Sequence, residues 1–194
     1  MAPHEATAKA VALRHRLEVV DGYCRSAVAG STVPGIAAAV LRDGVVLHNE
    51  AYGLASIELG VPVTPATIFP IASVTKVYTA TLVMRWVESG QLGLDDPIGT
   101  HLRQLPEAWR GVTIRQLLSH TSGLPDAISN PMTGTWLAED GGAALAAMAE
   151  LPPQFAAGQA WSYNQTNFLL LGMVVEMLAG MPFDPHLVDV LLRR

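Results

Sequence analysis

The sequence is poor in several residue types, and each shortage excludes something. It has one cysteine, Cys24, in 194 residues, which rules out an internal disulfide and a cysteine-based zinc cluster. Its six histidines show no H-x-x-H or H-E-x-x-H spacing, so no metal and no cofactor is expected. The formal net charge is −5, and no stripe of clustered Lys and Arg offsets it, which argues against nucleic acid as a partner. No run approaches the roughly 18 apolar residues of a membrane span. The longest candidate, "FLLLGMVVEMLAGM", is interrupted by Glu176 and two glycines and reads as a core helix. The N-terminal stretch "MAPHEATAKAVALRHRLEVV" lacks a basic segment followed by an apolar one, so no export signal is visible and a cytoplasmic location is expected.

Lysine is the most informative shortage. Of the 12 Lys and Arg residues only Lys9 and Lys76 are lysines. Lys9 sits in the polar N-terminal segment, but Lys76 follows a serine by three residues inside "IFPIASVTKVYTATLVMRWVESG". Arginine would serve equally for solubility. A lysine can give up its proton when desolvated, which a guanidinium effectively cannot.

Hydrophobic residues are 50% of the chain and mean hydropathy is +0.30, enough for one sizeable core or part of a larger domain. Apolar positions at helical spacing (Ala10, Leu13, Leu17, Val20) predict a helix from about Glu5 to Ala29. "VPGIAAAVLRDGVVLHNEAYG" reads as a β-hairpin turning at Asp43-Gly44. Its first arm, Gly35 to Leu41, is apolar throughout, which suits a strand covered on both faces. After the Pro-rich connection "VPVTPATIFP", a helix is predicted from Ser73 to about Glu88, with Val77, Leu82, Val83, Trp86 and Val87 as its apolar set. "LGLDDPIGTHLRQLP" predicts a loop with helical turns, "TIRQLLSH" a short helix running into a turn, and "GGAALAAMAEL" a helix closed by Pro152-Pro153. "NQTNFLLLGMVVEMLAG" predicts a long helix. Strands are therefore expected before Ala72 and helices after it.

Residues three apart on a helix share a face, so Ser73 and Lys76 would project into one space. The serine N–H would lie among the unpaired donors at the positive end of the helix. Such a start offers a nucleophile, a base and one oxyanion donor within four residues. A lysine base near neutrality needs its reference pKa of about 10.4 lowered by roughly three units, about 4 kcal/mol of differential interaction. An S-x-x-K also arises from this composition by chance in roughly one case in ten, so the motif alone decides little. Tyr163, in "WSYNQTNFLLLG", precedes the long helix; its phenol could exchange a proton with Lys76, and the amides Asn164, Gln165 and Asn167 could hold a substrate carbonyl. The structural alternative is that Asn164 or Thr166 caps the helix while Tyr163 packs with its hydroxyl satisfied. His120, in "LLSHTSGLPD", beside hydroxyls at a turn, reads as structural ahead of a Ser-His pair.

Taken in order, "TIFPIASVTKVYTATLVMRWVESGQLGLDDPI", "VTIRQLLSHTSGLPD" and "WSYNQTNFLLLG" resemble the serine β-lactamase and penicillin-binding-protein-like superfamily, and within it the class C β-lactamase-related hydrolases. The resemblance runs from about Pro34 to Leu187. It implies an α/β (α+β) fold of the β-lactamase/transpeptidase type. It also implies a serine hydrolase acting through an acyl-enzyme on a small-molecule ester, amide or β-lactam. By position, Ser73 resembles the acylated nucleophile, Lys76 its proton-accepting partner, and Tyr163 the tyrosine of the family's Y-x-N motif. Gln165 stands where that motif has asparagine, one methylene longer. The family's third motif, Lys/His-x-Gly on a strand beside the serine, lies far downstream of Y-x-N, and nothing after Gln165 resembles it. Residues 1–194 are therefore expected to form one incomplete domain, with a helix and hairpin over 1–72 and a helical part over 73–194. The strand that would bring a second oxyanion donor is missing from it, a loss typically costing about 10²–10³ in rate. The competing expectations are a truncated, inactive family member and, less favoured, a helical binding module.

Overall fold

The computed structural model describes residues 3–30, 33–126, 145 and 148–193. The chain divides into two compact units, residues 1–70 and residues 71–194.

In the first unit, helix α1 (Pro3–Ala29) matches the expected span, with Leu13, Leu17 and Val20 half-buried and Cys24 buried. Strands β1 (Gly35–Arg42) and β2 (Val45–Ser56) pair antiparallel, Gly35 opposite Gly53 and Arg42 opposite Val45. That register leaves a two-residue turn. Asp43 and Gly44 both have positive φ, 51° and 76°, the type I′ geometry that matches strand twist and favours Asp-Gly. A two-residue strand, β3 (Val61–Pro62), adds to the far side of β2 from within the segment expected to be a plain connection.

One expectation for this unit fails. Strand β1 is not covered on both faces: Ala37, Ala39 and Leu41 are exposed while Ile36, Ala38 and Val40 are half-buried. Within the unit α1 is the element packed against the hairpin, so one face is sheltered and the other is not. An apolar sequence shows that a strand can be buried on two sides; it does not supply the second cover.

The second unit holds the core. A 3₁₀ turn, Ala72–Val74, feeds helix α2 (Thr75–Glu88). Further 3₁₀ turns follow at Ile98–Thr100 and Glu107–Trp109, then α3 (Ile114–Leu118), α4 (Gln165–Ala179), α5 (Phe183–Leu187) and a π-helical turn, Val188–Leu192. The expected helix over "GGAALAAMAEL" falls largely outside the described residues; of its members Leu145, Met148 and Ala149 are helical. Helix α3 is only five residues long and needs its ends fixed. Thr113 accepts from the Gln116 N–H while the Gln116 side chain accepts from the Thr113 N–H, a complete capping box. Helix α4 packs on α2 and α3 and buries Leu170, Leu171, Val174 and Val175 against Leu82, Val83, Ile98, Trp109, Ile114 and Leu117. Each fully buried side chain of this size contributes about 1.5–3 kcal/mol. Of the apolar set expected on α2, Leu82 and Val83 are buried and Trp86 and Val87 pack at the core edge, but Val77 is exposed. Among the described residues no single helix is long and apolar enough to cross a membrane.

Candidate active site

The α-helix begins at Thr75, two residues later than expected, and Ser73 sits in the middle of the 3₁₀ turn that leads into it. In 3₁₀ geometry side chains i and i+3 eclipse, which favours bringing Ser73 and Lys76 together. Lys76 Nζ lies 3.1 Å from Ser73 Oγ and donates to it. The N–H groups of Ala72 and Ser73 lead the turn, positions that no carbonyl within a helix can satisfy. Ala72, immediately before the serine, has a φ of 45°. For a residue with a Cβ this left-handed conformation costs about 1–2 kcal/mol, and such strain gathers at functional sites.

Helix α4 brings the second group. Lys76 Nζ donates to Gln165 Oε1 at 2.6 Å, and it lies 4.9 Å from the centre of the Tyr163 ring and 5.6 Å from that of Phe168. Hydrogen bonding from Lys76, and after it from Ser73, holds the Tyr163 phenol below its ordinary pKa, against the opposing effect of burial; Gln165 acts in the same direction as Lys76. Ser73, Lys76, Tyr163 and Gln165 thus form one cluster. A cavity of about 720 Å³ opens beside it, lined by Ser73, Lys76 and Gln165 and by the apolar side chains of Phe168, Met173 and Phe183.

The other two amides do something different from holding a substrate. Asn164 is the N-cap of α4, accepting from the Asn167 N–H and donating from Nδ2 to the Leu124 carbonyl. Asn167 is fully buried and accepts from the Ser122 hydroxyl at 2.6 Å. Both are consumed in anchoring α4 to the "HTSGLPD" turn. Thr166 Oγ1 donates to the Pro125 carbonyl and the Gln165 N–H donates to Asp126 Oδ1, so four successive residues of the helix start are tied to that turn. The turn itself depends on Gly123, whose φ is 69° and where a Cβ would collide with the Phe155 carbonyl.

His120 belongs to the same turn and has a role that its sequence position suggests only in outline. Its backbone carbonyl accepts from the Ser162 N–H, as a structural residue would. Its ring lies 4.7 Å from the Tyr163 ring and 5.2 Å from that of Phe168, centre to centre. Phe168 escaped the sequence reading too, although its position three residues after Gln165 on a helix put it on the same face. Ala72 carried no signal at all.

Known proteins resemble this chain in sequence and in fold. The β-lactamase family model matches residues 20–194. Penicillin-binding protein 4 of Amycolatopsis lactamdurans is 39% identical over 163 residues, which is 81% of this chain and 42% of that protein. Esterase EstB of Burkholderia gladioli is 34% identical over 188 residues, 84% of this chain and 45% of that protein. The octameric penicillin-binding protein homologue from Pyrococcus abyssi superposes with a TM-score of 0.77 at 29% identity, covering 91% of this chain and 42% of that one. The chain therefore spans less than half the length of these relatives. With the family model matched over most of its residues, the chain belongs to the β-lactamase family.

Proposed function

We propose that this chain carries the acylation chemistry of a serine hydrolase acting on a small-molecule ester, amide or β-lactam. Ser73 Oγ attacks the carbonyl carbon, and its proton passes to the Lys76–Tyr163 pair as the C–Oγ bond forms. Collapse of the tetrahedral adduct breaks the bond to the leaving alkoxide or amine, which takes the proton back. Water then attacks the Ser73 ester with the same pair accepting its proton; the C–Oγ bond breaks, Ser73 Oγ takes that proton back from the pair, and the acid leaves. Lys76 Nζ at 3.1 Å from Ser73 Oγ is the observation that carries this reading. The lowered pKa of Tyr163 supports its part, because a phenol closer to neutrality exchanges a proton more readily. Gln165, engaged through Oε1 by Lys76, steadies the amine and offers its amide nitrogen to the substrate from the cavity wall.

The test is intact-mass spectrometry of the folded chain after exposure to an activated ester and, separately, to a β-lactam. One acyl adduct is expected, mapped to Ser73 and absent from Ser73→Ala. A folded chain that acquires no adduct at Ser73 from either reagent overturns the proposal.

A further inference from the structure

The His120 imidazole packs against the Tyr163 ring, 4.7 Å centre to centre. Ring nitrogen Nδ1 lies 3.1 Å from the Asn164 backbone N and 3.3 Å from Asn167 Nδ2. Both are donors, and the surrounding network leaves no other arrangement. Ser122 Oγ accepts from the Leu124 N–H and spends its own hydrogen on Asn167 Oδ1, which turns the Asn167 amide nitrogen toward His120. Nδ1 must therefore be the unprotonated nitrogen, and the ring hydrogen is on Nε2. His120 has a φ of 59°, in the left-handed region, and its Nδ1 faces the start of α4.

We propose that His120 is a positioning residue for Tyr163: its bare Nδ1 fixes the Asn164 N–H next to the tyrosine, its ring backs the phenol, and protonation of Nδ1 releases both. A hydrogen on Nδ1 would face two donors at about 3 Å, so the Asn164 N–H and the Asn167 amide would lose their acceptor together. The charged and titratable groups facing the ring come from three places. Lys76 on α2 opposes a positive imidazole, Asp126 at the end of the turn favours one, and Tyr163 lies against the ring. Burial and then Lys76 outweigh Asp126, and the imidazole stays neutral to a lower pH than an ordinary histidine. The consequence for catalysis rests on the reading of Tyr163 as a proton-transfer group; the consequence for structure does not.

Two measurements on the 194-residue chain separate those layers. Nitrogen NMR of labelled protein is expected to show the Nε2–H form, with the Asn164 amide and Tyr163 ring resonances moving at the His120 midpoint, below the ordinary histidine range. An Nδ1–H form, or Asn164 and Tyr163 signals indifferent to that titration, overturns the proposal. The second measurement is the pH dependence of Ser73 acylation in two variants. In His120→Asn, Oδ1 stands in for Nδ1, asparagine tolerates positive φ, and nothing titrates. Its acylation is expected within about tenfold of the parent at neutral pH, with the acid limb gone; misplacing a catalytic group by about 1 Å can cost 10²-fold, the loss expected of His120→Ala. An unchanged acid limb in His120→Asn counts against the proposal. If no form is acylated while the NMR coupling holds, the hydrolase reading falls and the positioning stands.

Discussion

The two units of this chain differ in how their apolar residues are used. In residues 71–194 a closed set including Leu82, Val83, Ile98, Trp109, Ile114, Leu117, Leu170 and Val174 is sealed from water. Among the described residues of the unit 1–70 the buried apolar side chains are Cys24, Tyr52 and Val63, while Leu41, Val45, Val46, Ile57 and Leu59 are all more than half exposed. Yet the pairing of the hairpin in the first unit is fixed by its Asp43-Gly44 turn and backbone ladder, with one irregularity between Val40 and Leu41. Pairing and stability are separate properties. A sheet of two or three strands defines its partners through the backbone, but independent stability needs a covered apolar face.

Substitutions can break that contrast or sharpen it. The largest effect is expected at Trp109, 1% exposed in the core of the second unit. Trp109→Ala should cost about 3–5 kcal/mol, whereas Leu41→Ala, at a position 61% exposed on β1, should stay within about 0.5 kcal/mol. Chemical denaturation followed by circular dichroism measures both, and equal losses at the two sites would abolish the distinction. Hydrogen exchange read alongside should find the amides of α4 better protected than those of β1. A smaller effect belongs to Thr113, whose capping box starts the five-residue α3. Thr113→Ala should lower stability by about 1 kcal/mol, and Thr113→Ser should recover most of it. Full stability in Thr113→Ala would mean that packing of Ile114 and Leu117 alone holds that helix.

These differences track what a sequence can express. Turn chemistry is local, so Asp43-Gly44 and the Thr113/Gln116 box could be read from adjacent letters. The motif residues Ser73, Lys76, Tyr163 and Gln165 were legible for another reason: a fixed spacing at each of two helix starts, and a stereotyped order along the chain. Three things were not legible. The exposure of Val77 and of one face of β1 depends on what packs against them, and an apolar letter says only that burial would be favourable. The 3₁₀ turn at Ala72–Val74 needs a left-handed alanine, which no propensity predicts. The anchoring of Asn167 and of Asn164 Nδ2 follows from their neighbours in space, Leu124, Ser122 and His120, although Asn164 as the helix cap was one of the readings the sequence offered.

The smallest predicted effect is also the most discriminating, because each unit holds one tyrosine with a shifted pKa and the shifts run in opposite directions. In the first unit the Tyr52 hydroxyl donates to Asp21 Oδ1 at 2.8 Å, and burial together with that carboxylate pushes its phenol up to about 12. In the second unit Lys76 and Ser73 lower Tyr163 below its ordinary value. An ultraviolet difference titration should therefore show one phenol ionising ahead of the ordinary tyrosine range and another behind it. Lys76→Met should move the early phase upward and leave the late one in place; Tyr163→Phe should delete the early phase. The folded state keeps a proton on Tyr52 that the unfolded chain releases near pH 10, so stability from this group falls as pH climbs from about 10 to about 12. Tyr163 behaves oppositely. Its phenolate is favoured by folding, so its contribution is present above the unfolded value and vanishes as pH drops through the folded one, adding nothing near neutrality. An early phase that survives Lys76→Met unchanged would mean that the amine does not govern the phenol, and the coupling on which proton transfer between them depends would be gone.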